Sequence, residues 1–240
     1  MILKLLRTLL SYILIGILVL IIAIPCLIFI LLPARWRYDN KLYFWMTSFF
    51  YKAALFFSFV PIEYIGKENL PKGPAIFVAN HQSAMDIPLI GSLMGGFPHI
   101  WLAWAKLKYY WVGIVISRMT VLIDTTTPMK GMRSLVKAIK MFEGKKRHVI
   151  IFPEGSRFID GNKIHDFFAG FVIIAKRTQR PVVPILILNA YKVYPPGSFF
   201  INRYPVKVII GKPFCFQEGE ADEVFKNRVT KWFVDKVSKE

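Results

Sequence analysis

The pattern of hydrophobic and polar positions changes near Pro61. From Thr8 to Ala34 no charged residue occurs, and Leu and Ile dominate. At about 1.5 Å per residue, a helix over that run exceeds a hydrocarbon core of roughly 30 Å. Lys4 and Arg7 precede it and Arg35 and Arg37 follow it, so the basic residues give no orientation. Pro25 is a candidate kink or point of return within the membrane. The run is too long for a secretory leader, and no small-x-small cleavage site follows it. A second apolar stretch, 42–62, carries Trp45, Phe49, Phe50, Tyr51 and Phe56 among other aromatics. Such rings favour the headgroup level, and Lys52 is placed to snorkel from among them. Residues 1–62 are therefore expected to be a membrane anchor: a transmembrane or re-entrant helix plus an aromatic amphipathic segment.

Beyond Pro61 short apolar runs alternate with helical periodicity. The runs at 75–79, 100–104, 120–123, 148–152, 182–188 and 206–210 read as strands. Several are apolar throughout, which predicts burial on both faces. Over 128–142, Met129, Met132, Leu135, Val136, Ile139 and Phe142 recur at helical spacing, as do Val224, Phe225, Val229, Trp232, Phe233 and Val237. This alternation predicts an α/β fold, a mixed and mostly parallel sheet flanked by helices, over 63–240.

Hydrophobic residues make up 55% of the 240 and mean hydropathy is +0.44, yet the net charge is +17. A chain both apolar and basic suits the anionic surface of a bilayer. Nucleic acid is not expected as a partner, because the basic residues form no dense arm and no zinc-finger or RNA-binding signature occurs. The only cysteines, Cys26 and Cys215, lie far apart, and the four histidines show no ligand spacing. Neither a disulfide framework nor a metal is expected, and the globular part is expected to face a reducing compartment.

Two segments carry candidate chemistry. Asn80-His81-Gln82-Ser83-Ala84-Met85-Asp86 follows directly on a predicted strand, at the kind of strand end where α/β sheets bind ligands. If the chain reverses there, Asp86 can hold one imidazole nitrogen of His81 and leave the other free to take a proton. The same residues also read as a helix start, with Ser83 and Asp86 resembling a capping box. Phe152-Pro153-Glu154-Gly155-Ser156-Arg157 likewise follows a buried-type strand. Gly155 permits close backbone approach, and Arg157 offers a planar fork for phosphate or carboxylate. Alone, this segment reads equally as a solvated turn.

An Asn-His-x-Ser-x-x-Asp block followed by Phe-Pro-Glu-Gly-Ser-Arg resembles the glycerolipid acyltransferase family, which includes the 1-acylglycerol-3-phosphate acyltransferases. Ala105-Lys106, the stretch 121–124 ending in Asp124, and Val183-Pro184-Ile185 are similar to its other blocks. The resemblance implies a glycerol-3-phosphate acyltransferase-like fold, with 63–240 as the acyltransferase domain. It implies catalysis by His81 as general base and Asp86 as its orienter. Asn80, Ser83, Lys106, Glu154, Gly155, Ser156 and Arg157 are expected around the substrate. The implied donor is acyl-CoA or acyl carrier protein, no cofactor is required, and the implied site is the cytoplasmic face of a membrane. A lipid-binding protein that has kept the fold without the chemistry is the alternative, and it would need neither His81 nor Asp86.

Two positions depart from the family pattern. Where an Arg usually follows Ile-Asp, this chain has Thr125-Thr126-Thr127, and a family Lys is replaced by Phe168. Both losses weaken a phosphomonoester acceptor and bring other lysolipids into contention. Lys130, Arg133, Lys137 and Lys140 recur along the helix over 128–142, as a solvated face or as a contact for anionic lipid or an acidic donor.

Overall fold

The computed structural model describes residues 1–109 and 113–240, and the side chains of all of these except 35 and 114–116. Arg35, one of the basic residues flanking the apolar run, is thus outside the described side chains. Seven strands form one sheet: β1 (Ile62–Ile65), β2 (Ile76–Ala79), β3 (His99–Trp104), β4 (Val121–Ile123), β5 (His148–Ile151), β6 (Val182–Leu188) and β7 (Val206–Ile210). Their order is β1-β7-β6-β2-β5-β3-β4. All neighbours are parallel except β6 and β7. The carboxyl ends of β2, β3, β4, β5 and β6 therefore share one edge of the sheet. The mixed, mostly parallel α/β architecture is the one the alternating pattern predicts.

The helices are α1 (Ile2–Leu31), α2 (Ala34–Arg37), α3 (Lys41–Phe57), α4 (Asp86–Gly91), α5 (Gly113–Met119), α6 (Pro128–Phe142), α7 (Gly170–Thr178), α8 (Ala190–Val193) and α9 (Asp222–Val237). Because strand side chains alternate, each face of the sheet builds its own core. Ile76, Val78, Val149, Val182 and Leu186 pack with Leu135, Phe142, Phe171 and Phe233 from α6, α7 and α9. Phe77, Ala79, Ile150, Ile185 and Val208 pack with Leu89 and Ile90 of α4 and Leu55 of α3. Phe77 is buried to 1% exposure, and truncating such a ring costs about 3–5 kcal/mol.

Three expectations need correction. The apolar stripe of α6 is not one face: Leu135, Ile139 and Phe142 are buried, but Met129, Met132 and Val136 are exposed. Val224 of α9 is likewise exposed. Pro25 does not turn the chain back, since α1 runs through it unbroken. The reversal instead follows Leu32, where extended backbone leads into Pro33 and α2, and the Asn40 side chain caps α3. Finally, the aromatic stretch is not all lipid-directed. Phe44 lies 5.0 Å from the His99 ring, and at Gly91 a Cβ would come within 2.3 Å of the Tyr51 ring.

The α1 helix is held to the domain at both ends. Near its start, Arg7 donates to the Ile201 carbonyl, Thr8 Oγ1 accepts from Ile201 N, and Tyr12 OH donates to Phe199 O at 2.7 Å. Near its end, Arg37 donates to the Ile30 and Leu32 carbonyls and Arg118 also reaches Ile30 O. Arg147 pairs bidentately with Asp39, fixing the α2–α3 junction to the base of β5.

Candidate active site

At the end of β2 the strand ladder is extended by a side chain. Asn80 donates to Ile187 O and accepts from Ile187 N, at 2.8 and 2.7 Å, so its amide mimics a backbone pair with β6. This releases the following residues into a tight loop before α4. His81 Nδ1 and Asp86 Oδ2 come within 2.7 Å, with Asp86 fully buried and the His81 side chain 16% exposed. The same oxygen accepts from Gln82 N at 2.6 Å and Ser83 N at 2.8 Å. With a carboxylate as partner Nδ1 carries the proton, which leaves Nε2 as the basic nitrogen. The helix-start reading coexists with this arrangement. Asp86 reaches back to Ser83 N as half a capping box, while Ser83 Oγ accepts from Met85 N and donates to Tyr194 O at 2.6 Å. Met85 rather than Asp86 is the cap residue.

Glu154 sits beneath this loop, almost fully buried. One carboxylate oxygen accepts from His81 N at 2.7 Å and the other from His165 N at 3.1 Å. Burial pushes its pKa up, and the two backbone N–H groups pull it down. The imidazole of His81 stacks on Phe152, with ring centroids 3.9 Å apart and planes 11° from parallel. Phe158 N donates to His81 O, so the loop after β5 forms a wall of the site.

The other expected residues fall in three places. Asn80, Ser83 and Glu154 stand at the pair, but their polar atoms are engaged by backbone groups. Gly155, Ser156 and Arg157 are exposed on the β5 loop, and among the described residues Arg157 has no ion-pair partner. Gly155 has φ +70°, a left-handed conformation that favours glycine, and a Cβ there would come within 2.9 Å of the exposed Phe168 ring. Lys106 lies just beyond β3, its ammonium 4.6 Å from the Trp104 ring centroid. The two departures have physical consequences. Thr126 binds the Asp124 carboxylate through both N and Oγ1, and Thr127 caps α6. Phe168 covers Gly155 with an exposed ring.

Gln82 was not singled out by sequence. It is buried, donates to Gly161 O and Asn162 Oδ1, and accepts from Ala190 N, tying the β2, β5 and β6 loops together. Nothing local signals this, because all its side-chain partners are far along the chain. A second acid–imidazole pair, His165 with Asp160 at 3.0 Å, also lies here. The remaining histidines are structural. Burial pushes His99 down to about 4 and His148 down to about 3, and both stay neutral. Among the described residues no three His, Cys, Asp or Glu side chains come together as metal ligands do.

A family model described as Acyltransferase matches residues 61–188, which hold both blocks. A chloroplastic 1-acyl-sn-glycerol-3-phosphate acyltransferase of Brassica napus is 32% identical over 185 residues, covering 74% of this chain and 52% of its own length. The 1-acyl-sn-glycerol-3-phosphate acyltransferase of Saccharomyces cerevisiae is 29% identical over 199 residues, covering 80% of this chain and 65% of its own. The chain thus spans little more than half the length of the plant relative. Among solved structures, the 1-acyl-sn-glycerophosphate acyltransferase PlsC of Thermotoga maritima superposes with a TM-score of 0.79 at 27% identity, covering 99% of this chain and 97% of that one. With the matched segment running from the start of β1 to the end of β6 and enclosing the His81–Asp86 pair, this chain belongs to the acyltransferase family.

Proposed function

We propose that the protein transfers a fatty acyl group from an acyl thioester to the free hydroxyl of a lysophospholipid at a membrane surface. The observation that carries this reading is the 2.7 Å contact between His81 Nδ1 and buried Asp86, which leaves Nε2 to act as base. A glycerol hydroxyl is a poor nucleophile at neutral pH. As its oxygen bonds to the thioester carbonyl carbon, Nε2 takes the hydroxyl proton; the C–S bond then breaks and the thiolate regains a proton from the imidazolium. Asp86 stabilises that imidazolium and keeps the ring in one orientation. No covalent acyl-enzyme is required.

The default acceptor is lysophosphatidate, as the names of the relatives suggest. Phe168 over Gly155 and the threonines after Asp124 favour a second acceptor class, a lysolipid with a larger headgroup, because they remove cations that would meet a phosphomonoester. The membrane reading rests on α1, whose outward residues are Leu and Ile along nearly its whole length. With both ends tied to the domain, α1 lies alongside it, which suits burial in one leaflet better than a perpendicular span. The donor carrier is tested through α6. Arg133→Glu with Lys137→Glu raises the donor KM by about threefold at constant kcat if this helix meets an acidic donor, and an unchanged KM leaves it a solvated face.

The direct test is transfer of a labelled acyl group from acyl-CoA or acyl carrier protein to a panel of lysolipids in mixed micelles. Lysophosphatidate or another lysophospholipid is expected to be labelled. Absence of transfer to every acceptor would favour a lipid-binding protein that has kept the fold.

A further inference from the structure

On the sheet face that carries α3 and α4, outside the His81 site, lies a cavity of about 360 Å³. Its lining includes Lys52, Leu55 and Phe56 of α3, Tyr64 of β1, Lys67 and Ser92. Among the described residues no carboxylate lines it. Its two hydroxyls are already engaged, since Tyr64 OH bonds Ser92 Oγ at 2.9 Å and Leu89 O at 3.2 Å. The two lysines are not ion-paired among the described residues, and the Lys67 ammonium rests 4.7 Å from the Tyr64 ring centroid.

Two residues next to the lining in sequence, Phe59 and Gly66, have backbone that few residue types tolerate. Phe59, in the turn from α3 to β1, has φ 56°, in the left-handed region that disfavours an aromatic side chain. Gly66 has φ +80°, and a Cβ there would fall 2.2 Å from the Ile210 carbonyl oxygen, so only glycine can make the turn that presents Lys67.

Lys52 stands in a telling place on α3. Trp45, Phe49 and Phe56 are 64%, 53% and 74% exposed, and Lys52 falls between Phe49 and Phe56 on the same helical face. A cation in an outward aromatic stripe, lining a carboxylate-free cavity with a second cation, matches a ligand that is anionic at one end and apolar at the other.

We propose that this cavity binds the headgroup of an anionic phospholipid, its phosphate between Lys52 and Lys67 and its acyl chains along Phe56 and Phe49. This inference rests on the membrane reading above, and it names a lipid that is bound and held rather than acylated. Its effect is to draw α3, and with it the domain, onto anionic regions of the bilayer.

The test is cosedimentation of the full chain with phosphatidylcholine vesicles, with and without phosphatidylglycerol. The Lys52→Gln/Lys67→Gln variant is compared with Lys145→Gln/Lys146→Gln, which removes equal charge from an exposed turn elsewhere. The first variant is expected to lose about tenfold of the wild-type preference for phosphatidylglycerol, and the second less than about twofold, as generic surface charge would predict no difference between them. Equal losses in both, or no loss in the first, would overturn the site. Abolition of the wild-type preference by inorganic phosphate would overturn the headgroup in favour of a free anion. Failure of the wild type to sediment with either vesicle would refute the membrane reading and this site with it. Sedimentation of wild type with neutral vesicles, without any preference, would refute only the site.

Discussion

Two acid–imidazole pairs stand side by side at the strand-end edge, and they differ in what surrounds the acid. His81 and Asp86 are five positions apart, and so are Asp160 and His165. Each imidazole stacks on a phenylalanine, Phe152 at 3.9 Å and Phe158 at 3.6 Å. Both backbone N–H groups are received by Glu154, one on each oxygen. Asp86, however, is fully buried and holds two loop amides besides the imidazole, whereas Asp160 is 48% exposed. A buried, multiply bonded carboxylate fixes a ring in position and keeps its negative charge unscreened by water. An exposed one holds its partner loosely and contributes little. Residue types and spacing are shared, so burial of the acid is what separates the two pairs, and it is the ground for proposing catalysis at the first.

The sharpest way to break this comparison is Asp86→Asn. It keeps the shape but lets Nδ1 lose its proton-accepting partner, and kcat is expected to fall by about 10³. A fall no larger than that of Asp160→Asn would mean that burial of the acid does not matter. Glu154→Gln comes next. It places an amide N–H₂ against one of two backbone donors, at a cost of about 1–3 kcal/mol in positioning, and kcat is expected to drop about tenfold with acceptor KM unchanged. A raised acceptor KM at constant kcat would instead put Glu154 on the substrate. The smallest effect belongs to the exposed pair: His165→Ala is expected to stay within about threefold of the wild-type kcat. A loss of a thousandfold there would make His165 the second half of the chemistry.

Much of this was legible from sequence, and the gaps have physical reasons. The central strands are apolar throughout because both faces are covered, and such runs stand out along the chain. β1 is hidden because Ile62–Ile65 follows directly on the aromatic stretch and reads as its tail. Periodicity placed α6 correctly but not its buried face, since Met132 and Leu135 differ little in type and only the sheet decides which one is covered. At the site, the five-residue spacing of His81 and Asp86 left a dyad and a helix start both open, and the resemblance carried by the second block favoured the dyad. Glu154 was expected beside the substrate, but its bonds from His81 N and His165 N, like the whole role of Gln82, depend on backbone groups brought near by the sheet, such as Ala190 N, which no side-chain pattern records. The Pro184 position shows a further case, a proline tolerated inside β6 at the point where β7 has given way to Gly211.

If the Nε2 of His81 takes the acceptor proton, removing that nitrogen must abolish transfer. His81→Ala, assayed beside the wild type with labelled acyl donor and the preferred lysolipid, is expected to lose at least about 10³ in kcat, consistent with loss of a general base, while still sedimenting with vesicles. Transfer at the wild-type rate by His81→Ala would mean that His81 is not the base.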